Sequence, residues 1–61
     1  MLIRQIRQKQ GLTIQALAKK ARMSYTFLVN VELGKADPSL STLKRLAKAL
    51  RVKPADLIKD E

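Results

Sequence analysis

Four residues near the middle of the chain, Tyr25, Thr26, Val29 and Asn30, have side chains suited to reading the polar edges of another molecule. Asn30 carries a donor beside an acceptor, so it can pair with a flat group that presents the complementary couple. Thr26 offers a hydroxyl and a methyl, Val29 a small apolar surface, and Tyr25 a phenol. Around them stand cations (Arg22, Lys35, Lys44) and hydroxyls (Thr13, Ser24, Ser39, Thr42). Charged and hydroxyl donors of this kind bind phosphate oxygens. Other chemistry is poorly supplied. The chain has no His and no Cys, and its acids are only Glu32, Asp37, Asp56, Asp60 and Glu61. No nucleophile–base pair, paired carboxylates or phosphate-cradling loop can be assembled from these, so an enzyme is not expected. Disulfides and Cys/His zinc sites are excluded, and no cofactor or metal is expected.

These side chains need elements to position them, and the apolar spacing supplies helices. Ile14, Leu17, Ala18 and Ala21 fall at i, i+3, i+4 and i+7, one helix face. Thr13 stands before them as an N-cap, and Ser24 caps the next segment. There Leu28 and Val31 form the inward stripe, Glu32 borders it, and Gly34 can end the helix in the left-handed conformation. The second helix is expected over about 13–21 and the third over about 24–33. Two helices this short, joined by so tight a turn, must cross steeply. That is helix-turn-helix geometry, whose second helix can enter a DNA major groove.

The flanking chain follows the same logic. Residues 2–10 read as helix one, with Leu2, Ile3 and Ile6 inward, Arg7 leaning toward the core, and Gly11 closing it. Asp37-Pro38 marks a turn. Ser39 or Ser41 caps helix four, which runs to about Leu50 on a stripe of Leu40, Leu43, Leu46, Ala47 and Leu50. Lys44, Lys48 and Arg51 mark its other side, with only Lys44 near enough to the helix start for a phosphate. Pro54 opens a short helix five with Ala55, Leu57 and Ile58, and residues 59–61 read as a frayed tail. No segment alternates with period two. The expectation is an all-α bundle of five helices, a single domain over residues 1–61.

Charge sharpens the functional expectation. Thirteen Lys and Arg against five Asp and Glu leave a formal +8, with a pI near 10.5. That balance favours a polyanion, nucleic acid before anionic membrane. No apolar run approaches the ~20 residues of a membrane span. The first ten residues hold no signal-peptide core, so a cytoplasmic protein is expected. At 100° per residue, Thr26, Asn30 and Leu33 point away from Leu28 and Val31, with Val29 beside them and Tyr25 at the N-terminal end. Asn pairs bidentately with adenine, and Val or Thr can meet a thymine methyl. Arg22 and Lys35 flank this helix and suit phosphate. Lys19 and Lys20 stand between a phosphate contact and a solvated face. Phe27 reads as core or boundary, and with Tyr25 as the one other aromatic there is no stacking platform for single strands.

From Ile3 to Ile58 the layout resembles the phage-repressor and Cro-like helix-turn-helix family, the XRE-type DNA-binding domain with a lambda-repressor-like fold. The carrying residues are Arg7, Gly11-Leu12-Thr13, Leu17-Ala18, Ser24, Leu28, Val31-Glu32, Gly34-Lys35, Pro38 to Leu43, and Leu46 to Leu50. The chain departs from the family's common residues at Ile14 (Gln), Arg22 (Gly) and Leu33 (Asn). The resemblance implies a transcriptional repressor that binds double-stranded DNA through helix three. Arg7 and Glu32 resemble a matched ion pair of the family. A homodimer is expected, since half-sites one DNA turn apart need a two-fold partner. Leu57 and Ile58 are the expected interface residues. Some members of such folds act as antitoxins or coactivators that bind a protein partner, and an apolar outer face on helix three fits that alternative as well.

Overall fold

The computed structural model describes residues 1–58. Its helices are α1 (Ile3–Lys9), α2 (Ile14–Ala21), α3 (Tyr25–Glu32), α4 (Leu40–Leu50) and α5 (Pro54–Ile58). The described residues contain no strand. The chain is all-α and carries a helix-turn-helix. The residues read as a frayed tail lie outside those described.

Side-chain caps set the starts of the three central helices. The hydroxyls of Thr13, Ser24 and Ser39 accept from the backbone N–H groups of Ala16, Phe27 and Thr42 at 3.0, 3.0 and 3.2 Å. Each satisfies a donor that the first turn would otherwise leave free. Ser39, not Ser41, is therefore the cap of α4. The ends use the left-handed conformation. Gly34 takes it after α3, but α2 and α4 end on arginines, Arg22 (φ 58°) and Arg51 (φ 59°). A side chain there is strained relative to glycine by on the order of 1 kcal/mol.

Ile3, Leu17, Leu28, Leu46, Leu50 and Leu57 are fully buried, one or more from every helix, with Ala18, Ala21, Val31 and Ala47 filling between them. Small residues on α2 and α4 let those two helices pack closely against each other. The Leu57 carbonyl accepts from the Leu2 N–H at 2.8 Å, closing the two ends of the chain on each other. Gln10 donates from its amide to the Leu50 carbonyl at 2.7 Å and so satisfies the end of α4.

Two apolar expectations are corrected. Leu40 is 64% exposed. It is the first residue of α4, and the buried stripe runs instead through Thr42, Leu46, Ala47 and Leu50. Leu57 is fully buried in the chain's own core, while Ile58 is 54% exposed. The short α5 turns one residue inward and its neighbour outward, so Leu57 is not free to face a partner.

Candidate nucleic-acid interface

The central unit is α2, the turn at Arg22-Met23, and α3. Leu28 and Val31 anchor α3 in the core. Its other side carries Tyr25, 53% exposed, with Thr26 exposed and Val29 and Asn30 half-buried. Leu33, the C-cap residue, is also 53% exposed. Phe27 is half-buried against the core. The Asn30 carbonyl accepts from Lys35 N–H at 2.8 Å and Ala36 N–H at 3.2 Å, which folds the following loop back onto the end of α3.

An ion pair fixes the orientation of α3. Arg7 donates from Nε to Glu32 Oε2 at 2.8 Å and from Nη2 to Glu32 Oε1 at 3.0 Å. Its Nη1 donates to the Leu12 carbonyl at 2.8 Å. One guanidinium thus ties α1, the loop before α2 and the C-terminal end of α3. The Arg7 and Glu32 side chains are 9% and 2% exposed. The fork geometry matches a carboxylate bidentately, which is why arginine suits this place and lysine would not. Arg4 adds a looser contact, Nε to Glu32 Oε1 at 3.6 Å, from a half-exposed side chain.

The N-terminal ends of α2 and α3 meet on one surface. Thr13, Ile14 and Gln15 line a shallow hollow together with Tyr25 and Arg7. The first turns of α2, α3 and α4 contain no acid. Their positive dipole ends are left uncompensated, an arrangement that attracts anions. The cap hydroxyls of Thr13 and Ser24 use a lone pair on the backbone, and each keeps its O–H for another acceptor. Ser39 is more committed: its Oγ lies 3.1 Å from Ser41 Oγ and 3.0 Å from Thr42 Oγ1. Lys35 and Lys44 are exposed.

One proposed phosphate ligand is corrected. Thr42 is 6% exposed and its hydroxyl is engaged with Ser39, so it serves the start of α4. Arg22 is exposed, but it lies at the C-terminal end of α2 beside Arg45, whose Nη1 is 3.5 Å from the Arg22 carbonyl. It is therefore at the opposite end of α2 from Thr13. The sequence reading missed Gln15, which lies next to Tyr25. Its signal was its position just inside the α2 cap. The reading also missed Arg45, whose only signal was a place on α4 one turn before Lys48.

With capped crossing helices, a locked second helix and an outward polar face, the fold and site define a helix-turn-helix protein. A helix-turn-helix family model matches residues 3–57, and the chain belongs to that family. It is 36% identical over 56 residues to the HTH-type transcriptional regulator DdrOP3 of Deinococcus deserti, covering 92% of this chain and 43% of that protein. It is 37% identical over 59 residues to the immunity repressor protein of Bacillus phage phi105, covering 97% of this chain and 41% of the repressor. The chain thus spans about two-fifths of the length of these relatives. No solved structure matches it.

Proposed function

We propose that the chain is a sequence-specific duplex-DNA-binding module of a transcriptional regulator, a repressor acting as a homodimer with α3 in the major groove. The observation that carries this is the outer face of α3. Tyr25, Thr26, Val29 and Asn30 face away from the buried Leu28 and Val31 on a helix that the Arg7–Glu32 pair holds in place. Asn30 is the base reader, suited to adenine. Thr26 and Tyr25 stand second and third, and Val29 meets a thymine methyl. Thr13, Ser24, Ser39, Lys35 and Lys44 hold phosphates around the three acid-free helix starts, and Arg22 adds a further contact from the turn. Ile58 is the exposed apolar residue of α5 for the dimer. The module works on DNA in the cytoplasm and catalyses nothing. No described helix is long and apolar enough to cross a membrane.

Both relatives carry names of transcriptional control, a regulator and a repressor, and this supports the same assignment here. A second reading, a protein-docking module of the antitoxin or coactivator kind, draws on the exposure of Leu33 and the lack of any Lys or Arg in α3. Selection of bound sequences from a random duplex library, followed by titration of the selected and unselected duplexes, separates the two. A regulator enriches a short motif and prefers it. No enrichment, with no salt-dependent binding to any duplex, would leave the docking reading.

A further inference from the structure

Five cations, Lys20, Arg22, Arg45, Lys48 and Arg51, line one cleft of about 530 Å³ between the C-terminal ends of α2 and α4. No residue of α3 takes part. The described acids are all engaged or placed elsewhere. Glu32 is held by Arg7, Asp56 accepts from the Lys53 N–H, and Asp37 lines a separate hollow beside Arg4. Two helix C-termini converge on the cleft, and each contributes about half a negative charge. They offset only about one of the five positive charges, so the cations are not explained as partners of the helix ends.

We propose that this cleft is a second phosphate-backbone site, one that holds duplex independently of the α3 face. Three of the five cations are arginines, whose planar fork matches phosphate oxygens. The floor between them consists of Ala21 and Ala49. Two alanines give little apolar surface to the aromatic or aliphatic anchor that carries most of the energy of a protein interface. A sugar-phosphate backbone brings no such anchor, so the surface fits a nucleic-acid strand better than an acidic protein segment. The cleft lies at the C-terminal end of α2 and the Thr13–Tyr25 hollow at its N-terminal end. An eight-residue helix separates them by about 12 Å. That span is about the width of one major groove, so a single duplex seated on α3 covers both ends of the helix, and the cleft grips its flanking backbone. The inference rests on the proposed α3 reading only for what occupies the first site.

The test compares three proteins: the whole chain, Arg45→Gln/Lys48→Gln, and Thr26→Ala/Asn30→Ala. All four substituted positions are partly or fully exposed, and melting curves check that each variant folds. Fluorescence anisotropy measures binding of an unrelated duplex and of a selected duplex at low salt. The expected result is that the cleft variant loses unrelated-duplex binding about tenfold or more, since two phosphate contacts are removed. It keeps its preference for the selected site. The α3 variant loses that preference and still binds unrelated duplex. The proposal is overturned if the cleft variant binds unrelated duplex like the parent. Binding of a polyglutamate peptide but not of unrelated duplex would also overturn it. If the parent shows no selected-site preference at all, the α3 reading fails, while the unrelated-duplex comparison still decides the cleft.

Discussion

Replacing Glu32 by Ala removes the acceptor for two Arg7 donors in a place where almost no water reaches. The Glu32 side chain is 2% and that of Arg7 9% exposed. After the change Arg7 keeps only the Leu12 carbonyl. Leaving one partner of such a pair uncompensated costs about 3–5 kcal/mol. A small domain has roughly 0.05–0.15 kcal/mol of stability per residue, which is about 3–9 kcal/mol for 61 residues. The substitution therefore removes a third or more of the whole. Each 1 kcal/mol moves the midpoint by about 4–8 °C in a domain this size, so Tm should fall by well over 10 °C. Circular dichroism melting of Glu32→Ala beside Asp37→Ala, an exposed acid, measures it. A further arm is Arg7→Met/Glu32→Leu, which swaps the pair for apolar side chains and should recover most of the loss. Equal midpoints for Glu32→Ala and Asp37→Ala would refute the reasoning. A double variant no better than the single one would show that the loss came from packing.

Arg22→Gly should raise Tm by about 4–8 °C, because it relieves roughly 1 kcal/mol of left-handed strain; Arg22→Ala keeps the strain, and equal melts for the two would place the effect elsewhere. Asn30→Ala should lose about 1–3 kcal/mol of discrimination at one A·T position per half-site and leave the salt slope unchanged, read by titrating selected and mismatched duplexes. Ile58→Glu should shift sedimentation toward the monomer without lowering Tm by more than about 2–4 °C, as befits an exposed position; an unchanged distribution would remove α5 from the dimer. Binding by a dimer that neutralises about 6–10 phosphates should give a log–log salt slope of about −5 to −9, and Lys35→Ala should flatten it by about one unit per subunit.

Much of the fold was legible because this chain states its helices redundantly. A cap residue and an apolar stripe agree for α2, and a cap, a stripe and a glycine stop agree for α3. Where the signals were single, the reading slipped. Leu40 looked like the head of the α4 stripe, since leucines recur from it every three or four residues. Periodicity gives the angle around a helix but not how far along it the neighbours extend. At its first position Leu40 has exposure a core residue would not have. Leu57 and Ile58 show the same limit, because adjacent apolar residues on a five-residue helix give no angular preference. The basic cleft was invisible for a different reason. Lys20 and Arg22 are far in sequence from Arg45, Lys48 and Arg51, and only the packing of α2 on α4 brings them together. The left-handed conformation of Arg51 hides because glycine is its usual sign, whereas that of Arg22 shows against the glycine common there in the family.

The distribution of charge gives the two surfaces different work. From Tyr25 to Glu32, α3 holds no cation, and its one acid is neutralised by Arg7. The helix proposed to enter the groove is therefore electrically quiet. Its contacts discriminate through shape and hydrogen bonds, and misplacing Asn30 against the wrong base leaves a polar group unpaired. Attraction must then come from cations outside α3. Phosphate contacts are blind to sequence and fix register, whereas base contacts carry the choice. An arginine on α3 would mix the two, raising affinity for every duplex along with the right one. Keeping the recognition helix neutral while five cations crowd the far end of α2 separates how tightly the protein holds DNA from which DNA it prefers. Each property can then be changed by substitution without moving the other.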